Sequence, residues 1–320
     1  MKIHVIALEG AFDTGLAAVL DTFGTANELA QGIGDSATRF DVTVVGLRRR
    51  VHTAQRFTVP VVIAERAAQP DVVIVPALGA KMPEPLRAAL DRRDVAELGD
   101  LLREWAGRGA LLGAACTGTF VLAATALLDG HAATTTWWLA PLFRERYPRV
   151  ALDESRMLVG STRFVTAGAA LAHLDLALWV VRRRSPALAE LTARYLVVDP
   201  RPSQAAFVIP DHLAHTDPLV ERFERWARRR LADGFSLSEA ARASGASERT
   251  LARRLRSVLG KSPLSYFQDL RVERAVHLLQ TSNASTDEIA AQVGYADGVT
   301  LRTLLRNKVG RGVRELRARQ

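Results

Sequence analysis

The last third of the chain repeats itself. Ser236-x-x-Glu239 and Ser285-x-x-Glu288 stand 49 residues apart. Each has the form of a capping box, in which a serine side chain takes a backbone N–H at a helix start and the glutamate returns the bond. Small residues follow, Ala240-Ala241 and Ala290-Ala291, and each copy then reaches a glycine, Gly245 and Gly294, again 49 apart. Next comes a second N-cap, Ser247 in one copy and Asp297 in the other, now 50 apart. The extra residue falls in the turn, where an insertion disturbs least. Apolar residues at helical spacing complete the copies, Leu251, Leu255 and Leu259 against Leu301, Leu305 and Val309, and Gly260 and Gly310 close them. Capped helix, glycine turn, capped helix is the layout of a helix-turn-helix, here written twice. Pro263–Leu279 reads as one amphipathic helix between the copies, with Tyr266, Phe267, Leu270, Ala275 and Leu278 on its apolar side. Capped helices and turns occur in any bundle, but not in two copies of matching order.

The charge lies in the same region. The formal net charge is +9, and from Pro218 onward there are 20 Lys+Arg against 11 Asp+Glu, while residues 1–217 hold 23 of each. A basic segment behind a neutral one suits a polyanion partner, although a charge excess also serves solubility. In a helix-turn-helix the second helix enters the major groove of double-stranded DNA. The face opposite the first stripe offers Arg249, Thr250, Arg253, Arg254 and Arg256. Arg249 and Arg253, one turn apart, are expected at base edges, where arginine suits guanine O6 and N7; Arg256 and Lys261 are expected at phosphates. In the second copy Val299, Thr300 and Thr303 take the places of Arg249, Thr250 and Arg253, and the charges shift to Arg302, Arg306, Lys308 and Arg311. That half is expected to grip phosphates and read little sequence. The helix N-termini at Ser247 and Asp297 are expected to add phosphate contacts.

The front of the chain alternates short apolar runs, Ile3–Leu8, Val42–Val45, Val72–Val75 and Ala110–Leu112, with helical patterns at Leu16–Leu29 and Val95–Trp105. Gly10, Gly46, Pro76, Gly79 and Gly113 punctuate the strand ends, and helices follow at Ala169–Arg183 and Pro186–Val197. This alternation predicts a parallel sheet with helices on both faces. Asp199-Pro200-Arg201-Pro202-Ser203 breaks regular structure, and Asp217-Pro218 reads as an N-cap and first helical residue. The expected division is an α/β domain over 1–197, a linker over 198–216 and an all-α domain over 217–320. Within the last, the units fall at 236–259 and 285–309, joined by a helix at 263–280.

A length of 320 residues suits about two domains. No long uncharged apolar run marks a membrane span, Met1-Lys2-Ile3-His4-Val5 enters a strand without a leader pattern, and Cys116 is the lone cysteine. These features predict a cytoplasmic protein without membrane contact. Gly113-Ala114-Ala115-Cys116-Thr117-Gly118 sits where a strand meets a helix, the layout of a nucleophile elbow, and the helix N-terminus is expected to lower the thiol pKa. A cysteine nucleophile needs a base. Thr136 cannot serve as one, His131 precedes the next strand, and Glu9 follows the first strand and can approach the thiol. A Glu–Cys pair without histidine suits a binding or oxidation-sensitive site, so the front domain is expected to respond to an effector or to redox state. His173 reads as a satisfied core histidine. A small-molecule pocket at the strand ends is expected from Glu9, Gly10, Asp13, Gly79, Cys116, Thr117 and Thr136. No metal-ligand spacing, phosphate-binding glycine loop or Ser-His-Asp pattern is present, so neither metal nor cofactor is expected.

Gly260-Lys261-Ser262-Pro263-Leu264-Ser265-Tyr266, Arg271-Val272-Glu273-Arg274-Ala275 and Ile289-Ala290-x-x-Val293-Gly294-Tyr295 resemble stretches of the AraC/XylS family DNA-binding domain. The second recognition helix departs from that family: Val299-Thr300-Leu301-Arg302-Thr303-Leu304-Leu305 lacks its phenylalanine pattern, and Arg311-Gly312-Val313 replaces a closing Ser-Pro. Residues 1–196 resemble PfpI-like, class I glutamine amidotransferase-like domains, through the Cys116 elbow, Asp71–Gly79 and Thr166-Ala167-Gly168-Ala169. The pair resembles the GlxA-like regulators. The resemblance implies a flavodoxin-like front domain, a DNA-binding transcription regulator rather than an enzyme, an unidentified small-molecule effector, a homodimer through the front domain and contact with RNA polymerase. Catalytic PfpI-like relatives carry a histidine after the next strand, where this chain has Ala133-Thr134-Thr135-Thr136-Trp137. Two alternatives remain at this point: a PfpI-like amidase, peptidase or glyoxalase, and an RNA-binding or nucleoid-associated protein.

Overall fold

A computed structural model describes residues 1–33, 38–199, 201, 203–204 and 217–317. The chain forms two compact units, Met1–Gln204 and Ala205–Gln320. Of the expected linker over 198–216, most of the stretch lies outside the described residues.

The first unit is built on eleven described strands: β1 (Lys2–Ile6), β2 (Asp41–Gly46), β3 (Arg50–His52), β4 (Thr58–Pro60), β5 (Val62–Ile63), β6 (Val72–Val75), β7 (Leu111–Ala115), β8 (Ala132–Ala133), β9 (Ala151–Leu152), β10 (Leu158–Gly160) and β11 (Phe164–Ala167). Seven form one sheet in the order β10-β11-β7-β6-β1-β2-β5, parallel except for β10 against β11. Its helices are α1 (Asp13–Gly32), α2 (Pro83–Leu90), α3 (Arg93–Gly107), α4 (Gly118–Ala123), α5 (Ala140–Arg146), α6 (Ala172–Arg184) and α7 (Pro186–Tyr195).

Strand periodicity explains why the runs look uniformly apolar. Ile3 and Val5 of β1, and Val72 and Ile74 of β6, join one core with α1, α6 and α7. Ile6, Val73 and Val75 join the opposite core with α2, α3, α4 and α5. Successive side chains point to opposite faces, so a strand buried on both sides needs apolar residues at every position. Gly113 lets α6 approach: a Cβ there would sit 3.3 Å from Leu176 and Val165 side-chain carbons.

The parallel sheet covered on both faces is as the alternation predicts. Ala110–Leu112 shifts to Leu111–Ala115, and the β10–β11 pair, for which the sequence shows no strand run, completes the sheet. The β3–β4 ribbon, α2 and α5 carry too few periodic residues to stand out in the sequence.

The described part of the second unit is helical: α8 (Pro218–Arg229), α9 (Leu237–Ala243), α10 (Glu248–Leu259), α11 (Pro263–Thr281), α12 (Thr286–Gln292), α13 (Gly298–Val309) and α14 (Val313–Arg317). Asp217 caps α8 by accepting from Leu219 and Val220 N–H, with Pro218 in the first turn. Phe223, Trp226, Phe235, Tyr266 and Phe267 form a chain of ring contacts between 5.2 and 6.5 Å. Around the second copy, Val272, Ala275 and Leu279 of α11 pack with Ile289, Ala290, Val293, Leu301, Leu305 and Leu316. The linking helix α11 thus contributes to the core of both copies.

Candidate functional site

The two repeats share the geometry of their turns. Gly245 and Gly294 have φ of 69° and 79°, and Gly260 and Gly310 end α10 and α13 in the left-handed region at 67° and 73°. Glycine adopts this conformation without the Cβ penalty other residues meet. Ser247 accepts from Thr250 N–H and Asp297 from Thr300 N–H, so both second helices are capped. Only the second copy closes a full capping box, Ser285 with Glu288. In the first, Ser236 accepts from Glu239 N–H, but the Glu239 carboxylate pairs with Arg230 at 3.2 Å. The expected reciprocal bond is therefore not made there.

Leu251, Leu255, Leu301 and Leu305 are buried, which turns the opposite faces of α10 and α13 to solvent. Arg249, Arg253 and Arg256 are exposed and line a shallow concavity with Ala252 and Ser257. Among the described residues none of the three has an ionic partner. On α13, Thr300, Arg302, Thr303 and Arg306 are exposed, and Arg302 and Arg306 line a second concavity with Arg314. Three expected contact residues are instead engaged within the unit. Arg254 pairs with the buried Asp217, and Lys261 and Lys308 both pair with Asp269.

In the first unit, Cys116 lies between β7 and α4 with φ 54°, a conformation that costs an L-residue roughly 1–2 kcal/mol. The elbow is seated tightly: a Cβ on Gly118 would lie 2.3 Å from the Val75 carbonyl oxygen. Thr135 Oγ1 donates to the Cys116 carbonyl at 2.7 Å, and Thr117 Oγ1 donates to the Leu78 carbonyl at 2.9 Å. The thiol is buried, and burial pushes its pKa up to about 12, overriding the Thr117 N–H, the Thr136 hydroxyl and the Lys81 charge. This reverses the expected lowering, because desolvation of a thiolate outweighs a helix of only six residues. The Thr136 hydroxyl is buried beside the thiol and has no other partner among the described residues.

Glu9 turns away from this cluster. Its carboxylate accepts from His52 N–H at 3.0 Å and meets His52 Nδ1 at 3.2 Å, both side chains half exposed. Gly10 takes φ 72°, and its carbonyl accepts from Gly79 N–H at 2.7 Å. Asp13 accepts from Gln55 N–H through Oδ2, while its Oδ1 is buried without a partner. The concavity beside Glu9, about 280 Å³, opens between Leu8, Leu47, Arg48, Val51 and Arg92, on the β1–β2 side. His131 packs edge-on against Phe164 at 5.0 Å. His173 is buried; its Nδ1 lies 2.6 Å from the Ala170 carbonyl and its Nε2 accepts from Ala77 N–H at 3.0 Å. Among the described residues no histidine acts on the thiol. Among the described residues no three His, Cys, Asp or Glu side chains cluster as a metal site.

Comparison with known proteins agrees with this geometry. The family model described as DJ-1/PfpI family matches residues 1–183. The chain belongs to the DJ-1/PfpI family. A model described as a helix-turn-helix domain matches residues 226–319, so the AraC-type resemblance of the C-terminal region holds as well. HTH-type transcriptional regulator GbdR of Pseudomonas aeruginosa is 28% identical over 199 residues, 61% of this chain and 54% of that protein. HTH-type transcriptional regulator GlxA of Rhizobium meliloti is 30% identical over 204 residues, 61% of each chain. The match thus spans little more than half the length of these relatives. A crystal structure of an AraC family transcriptional regulator from Pseudomonas putida superposes with a TM-score of 0.51 at 22% identity, covering 61% of this chain and 98% of that one, which shows the shared fold.

Within the DJ-1/PfpI unit, one residue beside the elbow has no signal in the sequence. Gln204, from the expected linker, is fully buried. Its Nε2 donates to the Thr135 carbonyl at 2.8 Å and the Arg156 carbonyl at 3.2 Å, and its Oε1 accepts from Trp137 N–H at 3.3 Å. Gly168 makes room for it, since a Cβ there would lie 2.1 Å from Nε2. Gln204 therefore binds the segment after β8 whose Thr135 holds the Cys116 carbonyl. Ser203 and Arg201 dock nearby, the first on the Ser155 carbonyl, the second on Asp175. Lys81 and Asp269 are the other residues that sequence spacing could not reveal, because each acts across long separations in the chain.

Proposed function

We propose that the chain is a sequence-specific DNA-binding transcription regulator, with a DJ-1/PfpI unit that senses an effector and an AraC-type unit that binds double-stranded DNA. One observation carries this reading: two capped second helices, each anchored by buried leucines, present open faces bearing the unpaired Arg249, Arg253 and Arg256 on one and Arg302 and Arg306 on the other. Both relatives named above carry the description HTH-type transcriptional regulator. Arg249 and Arg253 are assigned to base edges, Arg256, Arg302 and Arg306 to phosphates. The effector site is assigned to the strand ends near Cys116, where Asp13 Oδ1, Thr119 Oγ1 and Thr136 Oγ1 are buried polar atoms that lack partners. Such atoms call for water or a ligand. A homodimer through the first unit and contact with RNA polymerase follow from the resemblance. No described helix is long and apolar enough to cross a membrane.

A cysteine enzyme of PfpI-like type is disfavoured by the protonated, buried thiol, on which no histidine acts among the described residues. The test is footprinting of the purified full chain across its own gene neighbourhood with competitor duplex present. A discrete protected site is expected, and Arg249→Ala and Arg253→Ala should each weaken it by about 1–3 kcal/mol while leaving nonspecific binding in place. Uniform binding to all duplexes, or selective binding of RNA, would overturn the assignment. Turnover of an amide, peptide or glyoxal substrate that Cys116→Ala abolishes would favour the enzyme.

A further inference from the structure

In the second unit Leu264 and Val299 are the large apolar side chains that stand exposed among the described residues, and Val299 is the more open at 66%. Its position is fixed by the cap. Asp297 caps α13 as Ser247 caps α10, which places Val299 two residues after its cap, at the same station as Arg249. One turn later Thr303 stands at the station of Arg253. The Thr303 hydroxyl donates its hydrogen to the Val299 carbonyl at 3.1 Å, which leaves its methyl and its oxygen lone pairs for an outside partner. Leu301 and Leu305 are fully buried in the core of the copy, which locks the helix so that Val299 stays outside. Where α10 presents two guanidinium groups, α13 presents two branched side chains that can offer methyls.

Among the described residues of the unit nothing buries Val299, which is 66% exposed, and its neighbours on the open face are polar or cationic: Thr300, Arg302 and Arg306. These would hold the helix against phosphates, and a groove floor then meets the valine. In the major groove only one base edge offers an apolar group, the 5-methyl of thymine. We infer that Val299, with Thr303 behind it, selects thymine in the half-site facing α13, whereas Arg249 and Arg253 select guanine in the other. This rests on the DNA-binding reading above. It replaces the expectation that the second copy reads little sequence with a definite chemistry: apolar contact in one half, hydrogen bonding in the other.

The test separates the two readings. Duplexes selected by the full chain from a random pool give the preferred sequence. Each thymine of the half-site assigned to α13 is then replaced by uracil, which removes the methyl and keeps base pairing and the O4 acceptor. Binding of the wild-type chain should weaken about fourfold for each methyl it buries. Val299→Ala should lose most of that sensitivity, and Val299→Arg should shift the preferred base from thymine to guanine. The exposed position makes these variants safe for folding, and the uracil series needs no variant at all. A preferred sequence whose α13 half ignores uracil, or equal sensitivity in Val299→Ala, overturns the thymine contact alone. A pool that yields no preferred sequence overturns it together with the DNA-binding reading.

Discussion

Cys116 separates a regulator from an enzyme, and the separation can be measured. Its thiol is held at about 12 against an ordinary 9.0. At neutral pH the buried group is therefore thiolate about one thousandth as often as the same cysteine in the unfolded chain. The thiolate is the reacting species, so alkylation should be at least about a thousandfold slower in the native protein. Burial adds steric exclusion to that figure. The assay is iodoacetamide labelling read by mass, in native buffer and in denaturing urea, over a series of pH values. Native labelling should keep rising with pH beyond 10, because the folded group has not yet titrated. Stability follows the same sign: the contribution of a protonated thiol is whole below about pH 9 and is lost as pH rises towards 12. Native labelling within tenfold of the unfolded rate, or a plateau near neutral pH, would refute the desolvation argument. It would also restore Cys116 as an activated nucleophile and with it the enzyme reading.

Two further predictions concern the same unit. Burial lowers the His173 pKa to about 4, against an ordinary 6.5, so its contribution is whole above pH 6.5 and is lost as pH falls towards 4, about 1.4 kcal/mol per pH unit and roughly 3 kcal/mol in all. Urea unfolding of wild type and His173→Gln at pH 7 and 4.5 checks this; a parallel loss in both would exclude the histidine as its source. Gln204→Ala removes the amide's hydrogen bonds to the Thr135 and Arg156 carbonyls and from the Trp137 N–H; the Arg156 carbonyl keeps Thr134 Oγ1 at 2.9 Å, so the loss should be about 1–3 kcal/mol, centred on the Thr135 carbonyl. Gly168→Ala should cost a comparable amount by displacing the amide, and the double variant should cost less than the sum, since the added methyl then fills the vacated space. Strictly additive losses would show that the two positions do not touch.

What the sequence reveals here depends on the range of the interactions. The helix-turn-helix copies are legible because their determinants are local: a serine or aspartate three residues from the N–H it caps, a glycine at positive φ, leucines four apart. Ser285, Ser247, Asp297, Gly245, Gly294, Gly260 and Gly310 take the roles their spacing predicts. Glu239 departs because Arg230, nine residues earlier in the chain, takes the carboxylate meant for its own helix cap. In the first unit the alternation of strands and helices fixes the sheet, yet a run such as Leu111–Ala115 has no period to mark its ends. The elbow at Cys116 is visible in the sequence, but the direction of its pKa shift is not. That depends on how completely the fold buries the thiol among Thr117, Thr136 and Lys81, the last two of which only the fold brings to it.

Asp269 shows how the spacing of the repeated units can be reinforced. It lies on the linking helix and accepts from Lys261, just past the end of α10, and from Lys308, in the last turn of α13. A single carboxylate thus ties down the C-terminal ends of both second helices. Neither lysine is deeply buried, at 41% and 30% side-chain exposure, so each pair alone is worth little. The sharing matters more than the strength. Two ammonium groups on one carboxylate leave a net positive charge at the junction. When one lysine leaves for a phosphate, the other still neutralises Asp269, so no charge is stranded. The buried core contacts of α11 set the spacing of the second helices, and the lysines expected to grip DNA only reinforce it, so one of them can be released without undoing it.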